Sequence, residues 1–460
     1  MDSNSVLTVR KAALLMVMLN AFTTPLMLSA ANVALPKIAI DLNLDAVSLS
    51  WIPMAYLMAS AAFVLVFGKI ADNHGRKRIF MAGTLSVIIT SVFAACSVNG
   101  LMLIVARFFQ GTSAAMLYAT QIAIVSSVSL PEKRGHAIGM TVSTIYLGLC
   151  FGPVLGGYFI DLFGWRACFL FYIPLAMIVL LIGLIWVTDE WSSDEKEPYD
   201  IKGSMLYVFS IIFICYGAAN LKNQAGYPVL ITGIAGMILF VILARKTKHP
   251  VFDVNLFFIN RVFRFSSFAS YIMYTSTYAN AVLISLYLQY LKDLTAFGAG
   301  LIMMTQPLTM AILSPVAGKL SDKMEPRIIA SLGMGITGFG LLLLANLNVS
   351  NSITTLIIFL IITGIGFSFF SSPNSNAIMG AVEKRYYGSA SGSLATMRIL
   401  GQMSSMIIVS LVFGLLIGAV EIMPENYSRL AYAIRTCFTL AAILCIPGII
   451  FSLIRGRIHA

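Results

Sequence analysis

Long apolar runs divide the chain at regular intervals, and short polar stretches separate them. A helix needs about 20 mostly apolar residues to cross the hydrocarbon core of a bilayer. By that measure the pattern predicts an all-α membrane protein with about fourteen transmembrane helices. The predicted spans are 11–35, 48–69, 79–97, 101–127, 136–160, 167–187, 203–219, 228–244, 263–290, 297–317, 328–346, 351–372, 387–418 and 431–454.

The polar loop after the second span has a degraded copy later in the chain. The first copy runs from Gly68 through Lys-Ile-Ala-Asp-Asn-His-Gly-Arg-Lys to Arg78, and we call residues 68–78 the signature loop. The second copy begins Gly-Lys-Leu-Ser-Asp at Gly318. Internal duplication is typical of secondary transporters. The repeat predicts two six-helix bundles, at 1–187 and 263–460, with linkers and two additional helices at 188–262.

Composition and charge support a lipid environment. The chain is 59% hydrophobic and 11% charged, whereas soluble domains carry about 25% charged residues. Of the thirty Lys and Arg residues, twenty-two fall on the side of the predicted membrane that holds both termini. This asymmetry predicts that both termini are cytoplasmic, in an inner or plasma membrane. The positive charge meets anionic lipid headgroups, and we expect no nucleic-acid partner. The other side holds only Lys37, Arg166, Lys222, Lys292 and Arg429.

The sequence shows no signal for an enzyme or a cofactor. The six cysteines lie in or next to apolar runs without the spacing of metal ligands, so we interpret them as core residues. The chain has no nucleotide-binding loop and no His, Asp or Glu cluster at a membrane face. We therefore predict no metal, no cofactor and no catalytic residues.

The signature loop combines residues with distinct physical roles. Gly68 and Asp72 are four residues apart, on one helical face at the cytoplasmic mouth. Asp72 is placed to accept hydrogen bonds from free amides at the start of a facing helix. Gly75 turns the chain, and Arg76 lies among headgroups. The alternative is a basic turn that only sets topology, and the second copy argues against it.

The fifth predicted helix carries a glycine repeat. Gly148, Gly152 and Gly156 recur every four residues, with Pro153 and Gly157 beside them. This spacing puts three glycines on one face and lets a neighbouring backbone approach closely. Ordinary helix packing is part of the explanation.

Two arginines lie inside predicted spans and need partners. Arg107 is about 10 Å below the outer membrane face, and Arg398 lies eleven residues, or about 16 Å, into its helix. Such residues face water or a polar partner. Their partners are carbonyls, the amides of Gln110, Gln121 or Gln402, or an anionic substrate. Both arginines could instead be structural, and Arg107 could reach towards the outer interface.

These motifs resemble those of the major facilitator superfamily, in particular its fourteen-helix drug:proton antiporter branch. The stretch Asn32–Pro36 closing helix one, and Tyr387–Gly392 followed by Arg398 and Gly401, fit the branch. The resemblance implies export by alternating access of two bundles and coupling to protons. It also implies an antiporter role for the glycine helix, and a conformational latch at Gly68, Asp72, Gly75, Arg76, Gly318 and Asp322. The second copy has no glycine equivalent to Gly75, which weakens its part in the latch.

The chain departs from the branch at Met27, where an aspartate is usual. All nineteen carboxylates fall in loops or at helix ends, and Asp161 is the nearest to a span. The coupling candidates are therefore Arg107, Asp161 and Arg398. We hypothesise that the substrates are neutral or anionic amphiphiles. The alternatives are a proton-independent facilitator or organic-anion transporter and, remotely, a polytopic membrane protein that does not transport.

A small set of polar side chains on the predicted cavity wall completes the site. Tyr271, Tyr274 and Tyr278 recur at i, i+3 and i+7 and give one aromatic, hydroxyl-bearing helix face. Such walls suit small lipophilic or amphiphilic substrates, although an interfacial aromatic belt is an alternative. The cavity candidates are Asn20, Thr24, Gln110, Tyr118, Gln121, Tyr274, Tyr278 and Asn280.

Overall fold

A computed structural model describes residues 3–130, 134–192, 198–221, 224–321, 323–382 and 387–456. The described chain is helical, and its single β-bridge joins Asp45 to Glu421. Thirteen of its helices are long and apolar enough to cross a membrane. The prediction of an all-α membrane protein is confirmed.

The first half of the chain forms a group of helices that pack on one another. Helix α1 packs along α5 and contacts α7, while α4 packs against α2 and α3. The helices are α1 (Ser3–Asp41), α2 (Ala46–His74), α3 (Arg76–Ala95), α4 (Gly100–Val128), α5 (Arg134–Phe163), α6 (Ala167–Leu170) and α7 (Ile173–Ile185). We call α1–α7 the N-terminal half.

Three helices follow between the halves: α8 (Ile201–Ala219), α9 (Gly226–Lys246) and α10 (Asn255–Ile259). The later group, α11–α18, is the C-terminal half. Its members are α11 (Arg261–Thr277), α12 (Asn280–Leu286), a π-helical turn (Tyr287–Leu291), α13 (Ala296–Met303), α14 (Thr305–Ser321), α15 (Pro326–Ala345), α16 (Ile353–Gly380), α17 (Tyr387–Leu416) and α18 (Tyr427–Ile454).

Helix α8 pairs with α9 and also touches both halves, through α2 and α17. The phenol of Tyr207 on α8 donates to the carbonyl of Ala61 on α2 (3.0 Å). The two additional helices therefore lie beside the line where the halves meet. The limits 1–187, 188–262 and 263–460 stay predictions.

Polar residues placed just before the apolar runs start the helices. The side chain of Asp45 accepts from the amides of Val47 and Ser48, and Asn99, Thr295 and Ser352 cap α4, α13 and α16 in the same way. These caps satisfy amides that have no partner within the helix.

The ninth predicted span, 263–290, is interrupted in the structure. Helix α11 ends at Thr277 and α12 starts at Asn280. The amide of Ala279 donates to Ser405 Oγ on α17 (3.0 Å) instead of to a helical carbonyl. A side chain from a neighbouring helix thus marks the break, and no glycine or proline signals it in the sequence.

The prediction that Asn32–Pro36 closes helix one was wrong. Helix α1 continues through Pro36 to Asp41. Proline lacks an amide proton and removes one helical hydrogen bond, and here the helix runs on for one more turn beyond it. The carbonyl of Pro36 accepts from the phenol of Tyr290 in the other half (3.3 Å).

Hydrogen bonds join the two halves at one end of the molecule. We call this the outer end, because it lies opposite the two chain termini. Gln289 Nε2 donates to the carbonyl of Val33 (2.9 Å), and the amide of Ala46 donates to the carbonyl of Val420 (3.1 Å). We call the surface along which the two halves meet the seam. Elsewhere along the seam, α5 packs on α13 and α14, and α2 packs on α17.

Candidate functional site

Arg107 is a fully buried charge inside the N-terminal half. Its side chain is 0% exposed, and its Nη1 donates to Gln110 Oε1. Its Nε donates weakly to the carbonyl of Ile52 (3.4 Å), and its guanidinium carbon lies 4.5 Å from the centre of the Tyr56 ring. Its Nη2 has no partner among the described residues.

Gln110 lies one turn after Arg107 on α4 and orients this guanidinium. Its Nε2 donates to Ser91 Oγ (2.8 Å) and to the phenol of Tyr172 (2.9 Å), which leaves its carbonyl oxygen facing Arg107. The predicted cavity residue Gln110 therefore lies inside the N-terminal half. No Asp or Glu is buried among the described residues, so the Gln110 amide, the Ile52 carbonyl and the Tyr56 ring hold this charge.

Tyr278 brings the C-terminal half to the same place. It occupies the break between α11 and α12 and lies within electrostatic range of Arg107 and Tyr118. Arg107 Nη2 and Asn32 Oδ1 are buried here without a hydrogen-bond partner among the described residues, and the phenol of Tyr278 interacts with the Asn32 side chain. Unpaired buried polar atoms are rare and costly. A set drawn from α1, α4 and the α11–α12 break marks a place suited to a bound polar group, and we call it the Arg107 centre.

A second set of predicted cavity residues ties α1 to α4. Asn20 Nδ2 donates to Gln121 Oε1 (3.2 Å), and Thr24 donates to Asn20 Oδ1 (3.4 Å). One to two turns away, the phenols of Tyr118 and Tyr56 are 3.1 Å apart. The structure therefore brings Asn20, Thr24 and Gln121 together as one buried chain of polar groups.

Asn280 lies apart from this group. With Ser276 and Ser405 it lines a cavity of about 10 Å³ among α11, α12, α17 and α18, which is about the room that one water molecule needs. Asn280 Nδ2 has no hydrogen-bond partner among the described residues. The structure thus separates Asn280 from Tyr278, although only one residue stands between them.

Arg398 forms a further polar centre, nearer the termini. Its Nη2 donates to Ser375 Oγ on α16 (3.0 Å), and its guanidinium carbon lies 5.5 Å from the centre of the Tyr274 ring. Its Nε is buried without a partner. Nearby, the hydroxyls of Tyr146 on α5 and Ser371 on α16 are 3.2 Å apart and join the two halves. We call these five residues the Arg398 centre.

The glycine repeat of α5 faces α1. A Cβ at Gly152 would lie 2.7 Å from the carbonyl oxygen of Leu26, and a Cβ at Gly156 would lie 2.6 Å from Ala30 Cβ. A Cβ at Gly148 would likewise meet the α1 backbone. Only glycine permits this approach, so the repeat holds α1 against α5.

The rest of the motif faces the other half. A Cβ at Gly157 would collide with the carbonyl of Ala296 on α13, and a Cβ at Gly300 would collide with the carbonyl of Pro153. The motif therefore sets two contacts at once, one within the N-terminal half and one across the seam.

Asp161 extends the contact between α5 and α13. Its carboxylate accepts from the amides of Ala296 (3.2 Å) and Phe297 (2.8 Å), the first two residues of α13. Helix N-termini favour negative charge. Asp161 is exposed at the outer end, so this coupling candidate joins the halves where solvent reaches it.

The signature loop is held by contacts within the N-terminal half. Asp72 pairs with Arg76 (Oδ1 to Nη2, 2.8 Å), and Arg76 also donates to Ser127 Oγ on α4 (2.8 Å). Gly75 turns the chain at φ +113°. We predicted that Asp72 contacts the start of a facing helix, and the described contacts of Asp72 do not include one. A Cβ added at Gly68 would lie 4.0 Å from Ala119 Cβ, so this glycine is loosely packed.

The second copy of the loop is only partly described. A Cβ at Gly318 would lie 2.9 Å from Ser372 Oγ, so α14 packs closely on α16 there. Asp322 lies outside the described residues.

Sequence reasoning missed the partners of the signature loop in the first linker. Glu190 Oε1 accepts from the amide of Lys77 (2.8 Å), and its other oxygen lies 3.6 Å from Arg78 Nε. The carbonyl of Trp191 accepts from the amide of Arg76 (2.7 Å). The acidic linker opposite a basic loop was the available signal. Asn32 and Tyr56 were also missed as site residues, although each is a polar group within an apolar run.

Comparison with known proteins gives consistent results. The chain is 30% identical to the riboflavin transporter RibZ of Clostridioides difficile over 441 residues, which covers 95% of this chain and 96% of that protein. It is 28% identical to the multidrug resistance protein Stp of Mycobacterium tuberculosis over 383 residues, or 80% of this chain and 70% of that protein.

Solved structures share the fold. A POT family transporter in complex with a thioalcohol-conjugated peptide matches with a TM-score of 0.71 at 16% identity, over 95% of this chain and 96% of the other. A bacterial homologue of the lysosomal transporter Spinster, in an inward-facing conformation, matches with a TM-score of 0.67 at 15% identity, over 99% and 98%. The prediction that the chain is not an enzyme agrees with the curated relatives, which are named as a transporter and a drug-resistance protein.

The sequence profile of the Major Facilitator Superfamily matches residues 17–273 and 265–459, which together span nearly the whole chain. This match agrees with the signature loop, the glycine helix and the two helical halves. The chain belongs to the Major Facilitator Superfamily.

Proposed function

We propose that this chain exports neutral or anionic amphiphilic small molecules across the cell membrane by alternating access of its two halves, with protons as the coupling ion. The similarity to a riboflavin transporter and to a multidrug resistance protein supports small organic substrates. The residues that line the seam support the assignment of neutral or anionic substrates.

The observation that carries the proposal is the Arg107 centre. A fully buried guanidinium, with one free nitrogen and no buried carboxylate in the described chain, favours an electron-rich partner. A buried carboxylate would be expected for a cationic drug. A ligand on Arg107 Nη2 and Tyr278 OH would contact both halves, so its binding free energy would depend on how the halves are arranged.

Outer-end contacts define the state that this structure represents. The bonds from Gln289, Tyr290 and Asp161 join the halves there. Opening to the outside requires these bonds to break, and the latch predicted at Asp72 would then hold the inner end closed. Asp161 is the proposed proton acceptor, because protonation would remove the negative charge that the α13 N-terminus attracts.

A second candidate is a proton-independent facilitator of organic anions. The two fully buried side chains of the described chain that are charged at neutral pH are arginines, Arg107 and Arg455. Neither supplies an exchangeable proton at neutral pH, so proton coupling has no buried carrier among the described residues.

Transport by inside-out vesicles tests the proposal. The compounds are riboflavin, the anion 1-anilinonaphthalene-8-sulfonate and the cation tetraphenylphosphonium, each measured before and after a protonophore collapses the proton gradient. We expect uptake of riboflavin or the anion, and loss of that uptake with the gradient. Uptake that survives the collapse supports the facilitator. Uptake of the cation alone contradicts the assigned substrate charge.

A matched pair of variants assigns the effect to the site. Arg107→Gln should lower anion transport about tenfold or more, as expected for a lost charge-assisted hydrogen bond of about 1.5–3 kcal/mol. Arg435→Gln is the control. Arg435 is also an arginine within a helix of the membrane, but it bonds the carbonyl of Leu347 (2.7 Å) near the outer end of α18, away from the seam. Equal losses in both variants would remove the Arg107 centre from the path.

A further inference from the structure

The two arginine centres lie at different depths and in different halves. Arg107 is seven residues from the outer start of α4, or about 10 Å at 1.5 Å per residue. Arg398 is eleven residues from the inner start of α17, or about 16 Å. A molecule that crosses along the seam therefore passes the Arg398 centre on the inner side and the Arg107 centre on the outer side.

The two centres also differ in access. Arg107 is 0% exposed, whereas Arg398 is partly exposed while its Nε remains buried and unpartnered. Among the described residues Arg398 has one hydrogen-bond partner, the neutral hydroxyl of Ser375, and no carboxylate pairs with it. In a state with its outer end joined, the Arg398 side chain is partly exposed and the Arg107 side chain is fully buried.

Aromatic side chains build the wall beside Arg398. The ring of Tyr274 packs edge-on against Phe367, with centroids 5.4 Å apart and an interplanar angle of 87°. Tyr146, Met273 and Met310 belong to the same buried cluster. Aromatic faces and methionines suit flat, polarisable ligands. The cluster combines this wall with a free guanidinium nitrogen, and it draws side chains from both halves.

We propose that the Arg398 centre is an inner binding station for planar aromatic compounds that carry an anionic group. The anion binds Arg398 Nε and the ring packs against Tyr274 and Tyr146. This rests on the proposed function, because it assigns the loading step of the same path. The Tyr146–Ser371 bond crosses the seam at this point, so a ligand here contacts both halves before it reaches the Arg107 centre.

Binding of two flavins to the purified full-length protein tests the station. Riboflavin and flavin mononucleotide share one ring system, and only the second carries a phosphate. Quenching of flavin fluorescence reports binding of each. Arg398→Gln should weaken flavin mononucleotide binding about tenfold or more and riboflavin binding less than threefold, because a charge-assisted bond is worth about 1.5–3 kcal/mol. Tyr274→Leu should weaken both flavins alike, and Arg398→Lys should restore part of the preference.

A control variant and a check of folding accompany these measurements, and specific results would contradict the proposal. Arg435→Gln should leave both flavins unaffected, and melting temperatures identify any variant that fails to fold. If Arg398→Gln changes both flavins by the same factor or neither of them, or if the wild-type protein does not bind flavin mononucleotide, the station is wrong. If these binding results hold while vesicles transport no anion or riboflavin, the proposed function fails and the binding site stands.

Discussion

Arg107 shows how a single residue depends on its neighbours for a charged state inside a membrane. Its guanidinium has a face-on tyrosine ring and one amide partner, and that amide is itself fixed by Ser91 and Tyr172. Each of these contacts offsets part of the cost of taking an ion out of water. The remaining free nitrogen is the part available to a ligand, so Gln110 determines the direction in which that nitrogen points.

Replacing Gln110 tests this dependence. Gln110→Leu removes the acceptor for Arg107 Nη1 and two donated hydrogen bonds, and it leaves the guanidinium with the weak bond to Ile52. We expect the free energy of unfolding to fall by about 1–3 kcal/mol, measured by unfolding in sodium dodecyl sulfate. Anion transport should fall as well. Gln402→Leu is the control, since Gln402 makes no hydrogen bond among the described residues; an equal loss of stability there would contradict the role of Gln110.

The arginines were predictable as residues, and Gln110 was among the partners predicted for Arg107, but the partners on other helices were not predictable. A charge within an apolar run is visible in the sequence, and so is its need for a partner. Tyr278, Asn32 and Ser375 come from other helices, and their approach depends on how the halves pack. Asn280 illustrates the limit, because the break at Tyr278 turns it towards α17 and α18. No residue type in the chain marks that break.

Helix α5 is the element that connects the packing of one half to the seam. Its glycines face α1, while Gly157, Pro153 and Asp161 face α13. A shift of α5 therefore changes both contacts together. The sequence predicted the first of these faces from the four-residue spacing. The second face needed the position of α13, which no local pattern provides.

Two glycines on α5 allow a matched comparison. Gly152→Ala places a Cβ 2.7 Å from the carbonyl oxygen of Leu26, and such overpacking typically costs about 1–3 kcal/mol. Gly139→Ala meets no atom within 4 Å, and alanine stabilises a helix by about 1 kcal/mol relative to glycine. We expect opposite signs in the free energy of unfolding, measured side by side, and lower transport for Gly152→Ala alone. A loss of stability at Gly139 that equals the loss at Gly152 would rule out the α1 contact as the cause.

At the scale of the molecule, the arrangement of the halves is a balance between contacts at the two ends. The outer end carries hydrogen bonds across the seam from α1, α5 and the π-helical turn. Near the inner end, the described contacts of the signature loop stay within the N-terminal half or reach the first linker at Glu190 and Trp191. The repeated loop predicted two bundles, but which end is joined could not be predicted, because one sequence serves every state of the cycle.

Asp161 is the outer contact whose strength one substitution changes with little effect on packing. Asp161→Asn keeps the shape and removes the charge that the α13 N-terminus favours, and at an exposed site this is worth about 0.3–1 kcal/mol. Opening of the outer end should therefore become about two- to fivefold more populated.

The distance between two spin labels measures this opening. The labels are placed on Val98→Cys and Val349→Cys, two exposed outer positions in opposite halves, in a background with exposed Cys96 replaced by serine. A longer inter-label distance should gain population in Asp161→Asn relative to the protein with Asp161 intact. If Asp161→Asn leaves the distances unchanged, the carboxylate does not hold the outer end, and proton coupling must act elsewhere.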